Sequence, residues 1–308
     1  RAKILIKALI VGYGSIGKRH HKILSKMSMI DEIRIFTSQK NLGKNFFNTL
    51  EESLDNNPEY IIICSETQDH FNHFIYLKEN HRKDCKILIE KPIFSESPNF
   101  NLTASNTFVG YNLRFHPFMK ILKARIKDKK ILSVDCVCNT FLPNWRKNIS
   151  YENSYSAFSS KGGGVILDLS HELDYLNWIF GDYKIDYVRS GKISNLDIKS
   201  EDSMFFSGFL KNKIPLEISL KYHSLFERRY LQVEMEEESI GLDLLENKLL
   251  IKNKKNIKEE SLKNFDINKT YIDQHLDILT NDGLNTCSMK EGLKILTQVE
   301  KLKKWKKK

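Results

Sequence analysis

Short apolar runs separated by polar stretches of helix length organise the first third of the chain: KALIV, IRIF, YIIICS, KILIE and TFVGYN. Each run is strand-sized, and the stretches from Gly17 to Met27 and from His70 to Glu79 have the length and composition of crossover helices. That rhythm predicts βαβ units and a parallel sheet. From Ile131 the texture changes to longer alternating runs, ILSVDCVCNTF, EDSMFFSGFL, IPLEISLKYH and RRYLQVEME, with Lys211-Asn212-Lys213 as a hairpin turn. Alternation of this kind predicts a mostly antiparallel sheet. One helix is expected inside this second part, from about Asp168 to Phe180, stopping at Gly181. No internal repeat or long flexible linker is visible.

Gly12-Tyr13-Gly14-Ser15-Ile16-Gly17 fits G-x-G-x-x-G between the first predicted strand and the first predicted helix. In that setting Gly12 permits the tight turn, Gly14 lets the backbone approach a pyrophosphate, and Gly17 lets helix and strand pack closely. The helix N-terminus, with Ser15 and Ile16, then supplies N–H donors and a favourable dipole for phosphates. The expected ligand is NAD or NADP. An NAD-selective site places Asp or Glu at the end of the second strand, where this chain has Phe36-Thr37-Ser38-Gln39-Lys40. Thr37, Ser38 and Lys40 suit a 2′-phosphate, which favours NADP, although the same residues can simply face solvent in a site that takes either cofactor.

Within the helix expected after Asp168, Leu169, Leu173, Leu176 and Phe180 form one apolar stripe, and Asp168, His171 and Asp174 cluster on the opposite side. That polar face is expected to look into a cleft or solvent, with carboxylates that can orient the imidazole. Lys91, in Glu90-Lys91-Pro92, follows the strand KILIE, at the carboxyl end where open α/β sheets bind their ligands.

Composition narrows the classes without changing this picture. A content of 41% hydrophobic and 29% charged residues is that of a globular protein. The net charge of +10 is concentrated in the last eight residues, KLKKWKKK, which hold six lysines and read as a frayed basic tail; the remainder carries about +4. No recognition motif or basic stripe interleaved with aromatics supports a nucleic-acid partner. No apolar run spans a bilayer, so no membrane partner is expected and the expected location is cytoplasmic. Cys64, Cys85, Cys136, Cys138 and Cys287 lack metal-finger spacing, so no metal is expected and the thiols read as reduced and structural.

Taken in order, the GYGSIG loop, Thr67-Gln68-Asp69-His70, Glu90-Lys91-Pro92, Gly110-Tyr111-Asn112-Leu113-Arg114 and the stretch GGGVILDLSHELDYLNWIFG ending at Gly181 resemble the glucose-fructose oxidoreductase, inositol dehydrogenase and MocA (Gfo/Idh/MocA) family. The resemblance implies an α/β fold: an N-terminal Rossmann domain over residues 1–112, then a C-terminal α+β domain over 113–308 built on an open, mostly antiparallel sheet that often serves oligomer contacts. It implies NAD(P)-dependent oxidation or reduction of a sugar or polyol by a homo-oligomer, dimer or tetramer. Lys91 matches the family's catalytic lysine and His171 its catalytic histidine. Thr67 and His70 match positions near the cofactor, as do Glu90 and Lys91, and the resemblance implies a cis peptide before Pro92. The family commonly shows D-x-x-x-H where this chain has Asp168-Leu169-Ser170-His171, one residue shorter, so Asp168 transfers less securely than His171.

For hydride transfer the protein must hold the substrate carbon and manage one proton on its oxygen. The expected roles are proton exchange by His171 and hydrogen bonding to the same oxygen by Lys91, or the reverse. Arg114 and the pair Trp145-Arg146 are candidate substrate determinants, with Asp174 beside them. Arginine pairs bidentately with carboxylate or phosphate and an indole face suits a sugar ring, which points to an acidic, phosphate-bearing or nucleotide-linked sugar. Ordinary ion pairs and packing account for the same residues equally well. Tyr155, Lys161 and Gly162-Gly163-Gly164 resemble a mobile loop at such a site. The rival reading is a non-catalytic NAD(P)-binding sensor or regulatory protein on the same fold, which would be free to lose Lys91 or His171.

Overall fold

A computed structural model describes residues 5–40, 42–146 and 150–305. The chain divides into two compact units. The first comprises the described residues up to Phe115 together with Ile267–Thr297, and the second His116–Asp266 with the residues from Gln298 on.

The first unit opens with β1 (Ile6–Val11), α1 (Ser15–Leu24), β2 (Ile30–Phe36), β3 (Phe46–Phe47), α2 (Leu50–Leu54), β4 (Tyr60–Ile63), α3 (Thr67–Asn80), β5 (Lys86–Ile89) and β6 (Thr107–Val109). These six strands pair in parallel in the order β6-β5-β4-β1-β2-β3. Unbroken burial of Ala8 to Val11 and of Tyr60 to Ile63 shows a sheet covered on both faces, which is why these strands read as continuous apolar runs. Truncating such a side chain, Ile10 for example, costs about 2–5 kcal/mol. The strand order reverses between β1 and β4, the switch point where open sheets of this kind take ligands, and the glycine loop leaves β1 there.

The second unit contains α4 (Pro117–Arg125), β7 (Ile131–Phe141), α5 (Val165–Asp168), α6 (His171–Phe180), β8 (Lys184–Gly191), β9 (Ser203–Phe209), β10 (Pro215–Lys221), β11 (His223–Met235), β12 (Glu238–Asp243), β13 (Lys248–Asn253) and β14 (Ile257–Ser261). Its eight strands are ordered β14-β13-β12-β11-β7-β10-β9-β8, and only β10 and β7 run parallel. The expected hairpin at Lys211 to Lys213 joins β9 to β10, with Asn212 and Lys213 in the left-handed region. The single helix expected from Asp168 is two, broken at Leu169 and Ser170. α6 does end at Gly181, whose φ of +79° suits glycine.

The last stretch departs from the expected division at residue 113. α7 (Asn268–Asn281) and β15 (Cys287–Ser288) return to the first unit, β15 closing its sheet antiparallel to β6. Polar keys hold α7 there: Asn112 donates to Thr270 at 2.6 Å and Gln274 to the Val109 carbonyl at 3.2 Å. α8 (Met289–Lys303) then corrects the expectation of a frayed tail for its first residues. Leu302 is fully buried, and Lys303 lies 3.6 Å from Glu201. Residues 306–308 of that tail lie outside the described residues. All five cysteines are buried free thiols. Among the described residues no helix is long and apolar enough to cross a membrane.

Candidate functional site

In the first unit each loop glycine has a distinct job. Gly12 sits at φ +100°, and a Cβ there would lie 2.5 Å from the Ser65 nitrogen; a Cβ at Gly17 would lie 2.2 Å from the Gly12 carbonyl. A Cβ at Gly14 would meet nothing within 4 Å. The open space is therefore beside the residue expected to let a pyrophosphate approach. No side chain caps α1 and its first turn holds no acid, so the helix start at Ser15 and Ile16 fits a dinucleotide phosphate.

At the end of β2, Thr37 is buried and its hydroxyl accepts from the Gln39 N–H at 3.2 Å, while Ser38 and Lys40 are exposed. Gln39 donates from its side chain to the Tyr13 carbonyl at 3.1 Å, tying this turn to the glycine loop. Thr37 thus shapes the turn, and Ser38 and Lys40 are the groups presented outward.

Thr67, half-buried, opens α3. His70, one turn later, is buried; its Nδ1 lies 3.1 Å from the Pro92 carbonyl and 3.2 Å from that of Ile93, and its Nε2 lies 3.1 Å from that of Ser65. Burial lowers its pKa against the opposing pull of these carbonyls, and its contacts brace the turn after β5. Lys91 on that turn is half-buried and the Lys91–Pro92 peptide is cis. Glu90 differs from its expected place at the cofactor. Its carboxylate is turned inward to the His20 Nε2 at 2.9 Å, into space left by Gly110, where a Cβ would lie 2.7 Å from it.

In the second unit, Asp168 and Asp174 are buried, 4% and 1% exposed, on what was expected to be one polar helix face toward a cleft or solvent. The reason is local. Tyr222 donates to Asp168 at 2.5 Å, Tyr155 is a second hydrogen-bonding phenol beside it, and α6 is buried over Glu172 to Leu176. The Asp168 charge and then burial keep the Tyr155 phenol protonated; for Tyr222 burial comes first and Asp168 second. His171, the first residue of α6, is half-buried. Trp145 packs edge-on against Tyr222 at 5.3 Å and Arg146 lies over Tyr155 at 4.9 Å. They line a small hollow with Leu142, Tyr151, Ser154 and Ser156. Three sequence-predicted residues, Asp168, Trp145 and Arg146, thus meet around two tyrosines, of which Tyr222 carried no sequence signal.

Arg114 belongs elsewhere. Its guanidinium is 2% exposed and pairs with Glu291 at 2.9 Å inside the first unit, the ordinary ion pair that competed with a substrate role. The segment from Tyr155 to Lys161 is a series of single helical turns, and Gly162 to Gly164 are buried. Sequence reading also missed Arg229, which grips the fully buried Glu172 through Nε at 2.7 Å and Nη2 at 3.1 Å.

Family comparison covers both units. The oxidoreductase family model with an NAD-binding Rossmann fold matches residues 6–101, and its C-terminal alpha/beta domain matches residues 123–304. Solved structures of the same fold include levoglucosan dehydrogenase in complex with NADH, at TM-score 0.81 and 14% identity over 97% of each chain. UDP-N-acetylglucosamine 3-dehydrogenase GnnA from Acidithiobacillus ferrooxidans is similar at TM-score 0.74 and 16% identity over 97% of each chain. A super-repressor mutant of Gal80p from Saccharomyces cerevisiae reaches TM-score 0.79 and 14% identity, over 97% of this chain and 95% of that one. No curated protein sequence matches the chain.

Proposed function

We propose that this chain, which belongs to the Gfo/Idh/MocA oxidoreductase family, transfers a hydride between a nicotinamide cofactor and a hydroxyl or carbonyl carbon of a sugar derivative. The observation that carries the reading is the glycine loop at the strand-order reversal, with its open side at Gly14 and an uncapped α1. Bound there, the nicotinamide supplies the hydride chemistry. Lys91 hydrogen-bonds the substrate oxygen and stabilises its developing charge, and His171 exchanges its proton. Asp168, held by Tyr222 and Tyr155, orients polar groups of the substrate half of the site.

The substrate is an acidic or nucleotide-linked sugar, with the Trp145 ring and the Arg146 charge in one hollow as support. One similar structure is a dehydrogenase of a nucleotide-linked sugar, which accords with this reading. NADP is favoured over NAD because the turn after β2 presents Ser38 and Lys40 and no acid. Replacing Lys91 by Ala should lower turnover by about 100- to 10,000-fold with cofactor binding retained. Nicotinamide absorbance with a panel of acidic and neutral sugars, using NADPH and NADH in parallel, checks the rest. Full turnover by the Lys91→Ala protein rejects the catalytic assignment, and strict preference for uncharged polyols rejects the role of Arg146.

The likeness to a repressor supports a second reading, a cofactor-binding regulatory protein. Tight binding of NADPH or NADH with no turnover across the panel would establish it over the first.

A further inference from the structure

A line of four buried side chains crosses the first unit between its sheet and the helices α1 and α7. Tyr60, at the start of β4, bonds the His275 Nδ1 at 2.7 Å; the His275 Nε2 bonds the His20 Nδ1 at 2.9 Å; and the His20 Nε2 bonds Glu90 at 2.9 Å. Tyr60, His20 and His275 are fully buried, and Glu90 is 7% exposed. The second Glu90 oxygen accepts from the Lys91 backbone N–H at 3.3 Å. The line therefore ends on the residue assigned to the chemistry.

Hydrogen-bond polarity leaves one good arrangement. A neutral imidazole has one donor and one acceptor nitrogen, and a carboxylate only accepts. If Tyr60 donates, each later bond is fixed: His275 Nε2–H donates to His20, and His20 Nε2–H donates to an ionised Glu90. In the reverse direction a protonated Glu90, or a His20 imidazolium against the Glu90 carboxylate, begins the line and the Tyr60 proton must leave it. Among the described residues no second acceptor faces that phenol, and a buried hydroxyl without one costs about 1–3 kcal/mol. Burial, the largest cause in each case, lowers the pKa of His275 and raises those of Tyr60 and Cys64. His70 also feels the Glu90 charge, and on the far side of His20 stands Tyr271, with Arg19 against its hydroxyl.

We propose that His20 and His275 are positioning residues for Lys91, acting through Glu90: their directed chain from Tyr60 holds that carboxylate in place and so fixes the turn on which the lysine stands. The inference rests on the assignment of Lys91 to the chemistry and adds the groups that poise it.

Two measurements on the intact protein test it. In the first, 15N-histidine NMR reads the tautomers without reference to activity: both His20 and His275 should carry the proton on Nε2, with Nδ1 bare. Tyr60→Phe, which removes the terminal hydroxyl, should mix the tautomers. Nδ1–H forms in the unaltered protein would overturn the arrangement. In the second, His20→Leu should lower kcat on the order of 10-fold with KM little changed. His20→Gln, which keeps a donor toward Glu90, should restore most of that loss. Equal loss in Leu and Gln, or a rise in KM with kcat unchanged, would overturn the positioning role even with Lys91 proved essential. Turnover surviving in Lys91→Ala would instead remove the catalytic assignment and leave the tautomers to decide the chain.

Discussion

Each unit buries a carboxylate next to a residue assigned to the chemistry, and the two use opposite partners. In the proposed arrangement Glu90, beside Lys91, is held by neutral donors in series from His20, His275 and Tyr60. Glu172, beside His171, is clamped by the full positive charge of Arg229. A carboxylate held by neutral donors keeps its charge as a local field, whereas an arginine fork cancels it nearby. The first arrangement can poise a neighbour; the second fixes α6 to β11. Asp168 follows the first pattern, with two phenols in place of imidazoles.

The contrast breaks most sharply at Arg229. Its replacement by Ala leaves Glu172 charged and fully buried, and should cost about 3–5 kcal/mol in urea unfolding. Arg229→Ala combined with Glu172→Ala should recover part of the loss. A cost under about 1 kcal/mol for the single change would show that the fork does not anchor the helix.

Tyr222→Phe comes next. It removes the 2.5 Å donor to Asp168 and leaves Tyr155, with an expected cost of about 1.5–3 kcal/mol. The same change should raise KM for the sugar more than it alters cofactor binding, since Trp145 packs on that ring. Equal weakening of sugar and cofactor binding would detach Asp168 from the substrate half.

What could be read before folding tracks how local each cause is. The strands and Gly12 to Gly17 were legible because burial on both faces and a tight turn impose their residues position by position. β3 and β15, two residues each, exist only through pairing with β2 and β6. The return of α7 is carried by Thr270, Gln274 and His275, whose partners lie more than 150 residues away and leave no periodic trace. Asp168 and His171 could be picked out as chemistry-bearing residues, yet the helical spacing that joined them is interrupted at Leu169. Arg114 was legible as a charge in search of an anion, but the sequence held no sign that Glu291 was that anion.

Acid sharpens the contrast between units by a smaller step. Burial lowers the pKa of His21, His70, His73 and His275 in the first unit, and of His116 in the second. Above about pH 6.5 these imidazoles are neutral folded or unfolded and contribute no pH dependence. Below it the unfolded chain takes up protons that the fold resists, so stability falls with pH, by at most about 1.4 kcal/mol per unit for each histidine. All three tryptophans, Trp145, Trp178 and Trp305, lie in the second unit. On acidification from about pH 7 to pH 5, the urea midpoint read by far-ultraviolet dichroism should fall further than that read by tryptophan emission. Coincident shifts would mean that the histidines of the first unit do not set its acid sensitivity.

The smallest effect isolates burial from geometry. Arg125 forks onto Glu238 with bonds of 2.9 and 2.6 Å, nearly the geometry by which Arg229 holds Glu172, but its side chain is 42% exposed. Arg125 stands largely in solvent and Glu238, 12% exposed, keeps some contact with it where Glu172 has none, so water takes over part of the pairing and salt screens what attraction remains. Arg125→Ala should therefore cost less than about 1 kcal/mol and lose even that in high salt, against the several expected at Arg229. Urea unfolding of the two variants side by side, at low and high salt, separates the contributions. If Arg125→Ala proved as costly as Arg229→Ala, the fork itself would be what stabilises the second unit, and the distinction drawn between charged and neutral partners of a buried carboxylate would lose its basis.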